Sequence, residues 1–146
     1  MRSLTYSSFS IEVPDNWDDI TDELDDDSPI TLAEPTCGVG ALQISVAVHT
    51  SGQRPNISCR DLVEMLNAFG DSGAHTRRTE IATATMPNSM AVATFSDEDS
   101  YIRVWYLSDG DRIAFVTYTA AVDDFDGEVE TAEAILNSFA FRVDTA

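Results

Sequence analysis

Lysine is absent from this chain, and its positive charge rests on eight arginines set against 26 aspartates and glutamates, for a net charge of -18. Such a balance repels nucleic acid and anionic lipid, so neither is expected as a partner. Cysteine is scarce as well: Cys37 and Cys59 form no CxxC pair and are too few for a secreted disulfide framework, which makes both expected thiols. The two histidines, His49 and His75, could close a zinc site only with both cysteines, and the four residues lack the paired spacing of such sites. No apolar run approaches the roughly 18 residues that span a bilayer. Residues 1–10 carry one arginine and no apolar signal-peptide core, so a cytoplasmic location is expected.

What the chain does contain is enough for a core. Its 146 residues are 43% apolar and include seven Phe, four Tyr and two Trp, so one domain over residues 1–146 is expected, with no need of metal or disulfide staples. A folded chain of 15.9 kDa should expose roughly 7,000 Å², which spreads the excess charge at about 20 Å spacing against a screening length of about 8 Å. Folding tolerates that density. A basic protein, in contrast, is attracted over long range and associates faster than with a neutral surface. A second explanation of the acidity is environmental: adaptation to a salt-loaded cytoplasm, with a GC-rich genome replacing Lys codons by Arg.

Periodicity sets the order of elements. Phe9, Ile11 and Val13 alternate with polar neighbours as a strand that Pro14 ends. A dense acidic stretch follows, containing Asp18, Asp19, Asp22, Asp25, Asp26 and Asp27, and its backbone is expected to be exposed and mobile. Residues 30–33 and 39–48 read as a hairpin, with Leu42, Ile44, Val46 and Val48 on one face. Ser58 suits an N-cap, Leu62, Met65, Leu66 and Phe69 recur at helical spacing, and Gly70 is expected to stop that helix. Strand-like runs cover 79–85, 89–96, 101–107 and 112–120.

The last two runs are joined through Asp109 and Gly110, the turn chemistry of a two-residue hairpin. That register places Tyr106 opposite Ile113 and Val104 opposite Phe115, on the face expected to hold the apolar core. The other face carries Tyr101, Arg103, Trp105 and Tyr118 and is aromatic enough to need a cover. Asp123 and Asp124 precede a second helix striped by Val129, Ala132, Leu136 and Phe139, and Phe139, Phe141 and Val143 alternate as a last strand. Hairpin-linked strands with two helices imply an α+β fold, an antiparallel sheet with two main helices packed on it.

Three segments carry a resemblance. Phe9-Ser10-Ile11-Glu12-Val13-Pro14-Asp15-Asn16-Trp17, Gly38-Val39-Gly40-Ala41-Leu42-Gln43-Ile44-Ser45 and Ile135-Leu136-Asn137-Ser138-Phe139-Ala140-Phe141 look like the PsbP-like superfamily over nearly the whole chain. The chain is most similar to its small stand-alone bacterial or archaeal members and lacks the lipid-attachment cysteine of the lipoprotein branch. The resemblance implies an α/β/α sandwich and a binding or accessory role, since the superfamily includes a photosystem subunit, a Ran-binding import factor and secretion chaperones. Its motifs concern patterning and are silent about chemistry.

The residues of reactive type form no recognised set. No GxSxG elbow is present, and Cys37 with His49 or His75 has no family signature around it. Gly38-Val39-Gly40 opens a strand where a phosphate cradle would open a helix, so it reads as a turn or bulge. Asp124, Asp126, Gly127 and Glu133 match four calcium-loop positions, but position one would be Val122 and the segment is helical. Asp109 and Asp111 belong to a solvated turn. Arg77-Arg78 is the only adjacent basic pair.

The reading is therefore a non-enzymatic binding protein without catalytic residues, metal or cofactor, an immunity-type or chaperone-like partner for a basic protein. Two surfaces are candidates: the acidic loop from Asp18 to Asp27, and the Tyr101, Arg103, Trp105 and Tyr118 face. The environmental explanation is the alternative, a small-molecule or metal-dependent enzyme the third, and the oligomeric state is left open.

Overall fold

The computed structural model describes residues 1–24, 29–36, 38–48, 57–71, 75–85, 88–110 and 112–142. Among these, an eight-stranded antiparallel sheet is built from β3 (Asp18–Asp19), β4 (Ile30–Ala33), β5 (Gly40–Val48), β6 (Thr76–Arg77), β7 (Ala82–Ala84), β8 (Ser89–Ser96), β9 (Ser100–Ser108) and β10 (Arg112–Ala121). Its order is β3-β4-β5-β10-β9-β8-β6, with β7 also pairing β8. A three-stranded sheet joins β1 (Arg2–Thr5), β2 (Phe9–Val13) and β11 (Ala140–Phe141). Two helices complete the chain, α1 (Cys59–Asp71) and α2 (Val122–Asn137). The α+β expectation of an antiparallel sheet carrying two helices is what the structure has.

Each helix covers one face of the large sheet. Leu62 and Leu66 of α1, both fully buried, pack on Ala91, Ala93, Phe95 and Val104 of β8 and β9. Burial of each leucine contributes about 1.5–3 kcal/mol. On the opposite face, Phe125, Ala132, Ile135 and Leu136 of α2 pack with Trp105, Val116, Tyr118, Leu42 and Ile44, and the small sheet adds Phe9, Ile11 and Val13. This second face holds the larger core. The face of Ile102, Val104 and Tyr106, which the sequence pattern marks as the core, holds the smaller cluster instead, because α2 and the three-stranded sheet both bury their apolar sides against Trp105 and Tyr118.

Local chemistry explains the boundaries. Ser58 and Asp61 form a reciprocal cap: the Ser58 N–H donates to Asp61 Oδ2 at 2.9 Å and the Asp61 N–H to Ser58 Oγ at 3.3 Å. Gly70 does not stop α1, which continues to Asp71. A side chain at 70 would stand 3.1 Å from Phe95, so the helix lies against β8 there. The acidic stretch is partly structured: Asp18 and Asp19 pair with Ala33 and Leu32, and Thr21–Glu23 forms a 3-10 turn. Asp25, Asp26 and Asp27 lie outside the described residues, as do Cys37, His49, Asp111 and Val143.

The β9–β10 hairpin is longer than a two-residue turn. Tyr106 pairs with Phe115, Val104 with Thr117 and Trp105 with Val116. Gly110 takes a positive φ of 103° while no other described residue does, so the type I′ geometry with two such residues is not formed. Side chains hold the loop instead. Ser108 Oγ accepts from the Gly110 N–H at 2.9 Å and donates to the Arg112 carbonyl at 2.7 Å, and Asp109 accepts from the Arg112 backbone and guanidinium. The slip is two residues, an even number, so every side chain keeps the face its alternation assigns.

Candidate partner-binding groove

Arg103 and Tyr101 alternate with Ile102 on β9 and so point toward α2, beside Trp105. The four residues of the expected aromatic surface separate here: Trp105 and Tyr118 are fully buried beneath α2, whereas Tyr101 and Arg103 stay half-buried at the helix edge. Trp105 and Tyr118 are therefore core residues and present no surface. Phe125 makes the cover, standing edge-on to Tyr101 with ring centroids 5.4 Å apart and tilted to Tyr118 at 5.7 Å.

Where α2 parts from the sheet, a groove of about 400 Å³ opens between Tyr101, Phe125 and Val129 below and two polar walls. The sheet-side wall carries Arg78 and Arg103. Arg103 Nη1 donates to Thr94 Oγ1 at 2.8 Å, its Nε pairs with Glu133, and its guanidinium lies 5.6 Å from the Trp105 ring centre. Arg78 is tied to β8 through its backbone N–H to the Thr94 carbonyl and its Nε to Ser96 Oγ, both at 2.7 Å. The helix wall carries Asp126, Glu130 and Glu133.

Their spacing of four and three residues puts all three carboxylates on one helix face. Like charges so spaced cost a helix about 0.2–0.5 kcal/mol per pair. Across its length α2 has six carboxylates and no basic residue. Only Asp123 and Asp124, in the first turn, gain from the helix dipole. Arg103 neutralises Glu133, and Glu128 accepts the Tyr118 hydroxyl at 2.8 Å. Asp126 and Glu130 make no ion pair among the described residues. The calcium-like positions Asp124, Asp126, Gly127 and Glu133 thus sit on a continuous helix, and no group of His, Cys, Asp or Glu suited to a metal occurs among the described residues.

The acidic edge lies at the other end of the sheet. From β3 to β9 is four strand steps, about 19 Å at usual spacing. A cleft of about 540 Å³ there is lined by Arg2, Leu4, Asp18, Asp19, Glu23 and Pro35. Its two strand carboxylates are already engaged: Asp18 pairs with Arg2, and Asp19 accepts the Tyr6 hydroxyl at 2.6 Å and the Thr21 N–H at 2.8 Å. Burial pushes Asp19 up, but the hydrogen bonds from Thr21 and Tyr6 outweigh it and hold the carboxyl below the usual range. Asp22 stands exposed on the 3-10 turn. The seven described candidates therefore divide into a separate acidic edge with Asp18, Asp19 and Asp22, a groove with Tyr101 and Arg103, and a core with Trp105 and Tyr118.

Cys59 and His75 do not meet. The half-buried thiol faces the Met90 and Ala84 carbonyls, at 3.6 and 3.9 Å, at the start of α1. His75 stacks on Phe69 at 4.8 Å beyond the end of that 13-residue helix, about 18 Å away along its axis.

Tyr6 and Tyr118 share a titration property. Burial raises both phenols well above their ordinary range, and the Asp19 and Glu128 carboxylates that accept their protons raise them further. A raised folded-state value means that the native protein holds these protons more tightly than the unfolded chain. The stability they contribute is complete below about pH 10 and lost as pH rises above it. Urea unfolding between pH 9 and 11.5 is expected to show a decline that the double variant Tyr6→Phe, Tyr118→Phe flattens; an equally steep decline in the variant would remove both residues as its source.

Solved structures place this architecture. LpqN of Mycobacterium tuberculosis, described as involved in cell envelope biogenesis, aligns with a TM-score of 0.65 at 12% identity over 92% of this chain and 83% of its own. Cyanobacterial PsbP (CyanoP) of Synechocystis aligns with a TM-score of 0.62 at 11% identity over 97% of this chain and 91% of its own. The fold is PsbP-like. A Bacteroides thetaiotaomicron structure aligns with a TM-score of 0.63 at 15% identity over 94% of this chain. The chain spans about half that protein's length, 46%. No family model matches the chain, and no match was found among curated proteins. At these identities the PsbP-like likeness shows architecture alone. No helix among the described residues is long and apolar enough to cross a membrane.

The sequence singles out Asp126 only as a calcium-like position and Arg78 only in a basic pair, and Glu130 not at all, although one signal points to the groove wall: a 16-residue helix with six acids, no base and a 4,3 acid spacing.

Proposed function

We propose that this chain is a non-enzymatic binding protein of the cytoplasm that holds or neutralises a basic protein partner, in the manner of an immunity protein or chaperone. The observation that carries the reading is α2, where Asp126 and Glu130 stand exposed one turn apart and repel each other with no ion pair among the described residues. A cationic partner relieves that repulsion, and the net charge of -18 attracts it from a distance. The PsbP-like neighbours supply a precedent of the same fold in PsbP and LpqN, whose names describe no reaction.

The test is association with a basic protein from the native cell, captured and identified, then measured by stopped flow. Raising salt from about 0.05 to 0.5 M should slow association at least tenfold, because screening removes the steering. Recovery of no basic partner at either salt rejects the reading. The environmental explanation draws on the same helix, since molar salt would also screen it. It predicts that stability collapses on desalting and recovers in molar KCl, whereas a binding protein of ordinary cytoplasm keeps its unfolding midpoint near physiological salt.

A further inference from the structure

We infer that the groove between α2 and strands β8 and β9 receives a peptide segment of the partner in which an arginine or lysine stands next to an apolar residue; the inference rests on the basic-partner function proposed above. Its volume of about 400 Å³ is that of a site for a few side chains. The floor of Tyr101, Phe125 and Val129 is apolar, and two of its three residues stay half-buried, so an apolar side chain seated there removes further surface from water.

Charge decides what stands beside that side chain. Asp126 and Glu130, one turn apart on the groove wall, are exposed and without an ion pair among the described residues. A single guanidinium or ammonium between them converts a repulsive pair into two attractive ones. Glu133, the third acid, is already matched by Arg103, which fixes where the cationic pocket ends.

The facing wall supplies what a peptide backbone needs. Arg78 spends its Nε on Ser96, leaving its terminal N–H groups to donate to carbonyl oxygens of a segment lying along the groove. A fatty or phosphorylated ligand would meet the same Arg78 but also the unpaired acids and the field of the whole chain. Hydrophobic floor, acid pair and donor wall together match an extended basic-apolar segment.

The test is an NMR titration of the full chain with an acetylated tetrapeptide amide alternating arginine and leucine, at about 0.15 M salt. Saturable shifts are expected at the amides of Thr94, Tyr101, Phe125 and Val129. The double variant Asp126→Asn, Glu130→Gln should weaken binding at least about tenfold, while Asp22→Asn with Glu23→Gln, at the far edge of the sheet, should leave it within about twofold. Replacing leucine by glycine in the peptide should also weaken it. Shifts scattered over the acidic surface, or equal losses from the two double variants, overturn the groove and leave the basic-partner function standing. If neither the peptide nor any basic protein binds, both fall.

Discussion

Truncation of Trp105 to alanine is expected to cost about 3–5 kcal/mol in unfolding free energy. Trp105 is among the largest fully buried side chains, at the centre of β9 between Val92 and Val116 on the neighbouring strands. Its indole N–H is buried without a hydrogen-bond partner among the described residues, so its contribution comes from packing. Trp105→Phe separates the two effects. It leaves a smaller void and also removes a buried unpaired donor, whose retention costs about 1–3 kcal/mol, so its loss should fall below about 2 kcal/mol. Urea denaturation with an unchanged m-value measures both. A Trp105→Ala loss under about 1 kcal/mol would place this residue outside the core and reopen the aromatic face as a binding surface.

Substitution of Gly40 by alanine should cost about 2–3 kcal/mol, far more than a glycine-to-alanine change in an ordinary strand. A Cβ there would stand 2.5 Å from the Thr119 carbonyl oxygen and 2.6 Å from the Tyr118 hydroxyl. Gly40 pairs with Ala120, so β5 and β10 would have to part at the end of their ladder. Adding Tyr118→Phe removes the hydroxyl but not the carbonyl. The double variant should therefore recover part of the loss, with a coupling above about 0.5 kcal/mol. Full recovery would show that the hydroxyl alone excludes a side chain; no coupling would show that the ring does not approach Gly40 in solution.

Gly40 illustrates how much of this molecule is legible in its residues. The Gly38-Val39-Gly40 segment reads as a turn or bulge, and Gly38 does close a turn, its N–H reaching the Glu34 carbonyl at 3.1 Å. The need at Gly40 comes from Tyr118, distant in sequence and brought alongside only by strand pairing. The β9–β10 register has the same character. Alternation fixes which side chains share a face, because any even slip preserves it, but the slip itself depends on Ser108 and Asp109 bonding across the loop. Strand β1 leaves no periodic signal in the sequence, because Leu4 is its single apolar residue and its place is set by pairing with β2.

The candidate surfaces divide on the same principle. Tyr101, Arg103, Trp105 and Tyr118 are alike in sequence as alternating residues of one hairpin face, and what separates them is where the edge of α2 falls. Asp18 and Asp19 read as free acids until Arg2, Tyr6 and Thr21 are folded against them.

By itself the sequence determined the acidity, the lack of lysine, the antiparallel α+β class and the two helices, with the Ser58–Asp61 cap of the first, since these follow from composition, from capping chemistry and from periods of two and 3.6 residues. Only the tertiary structure decided which sheet face holds the larger core, which acids remain unpaired and where a groove opens. Those properties depend on side chains far apart in the chain meeting across the sheet, and local periodicity carries no record of such meetings.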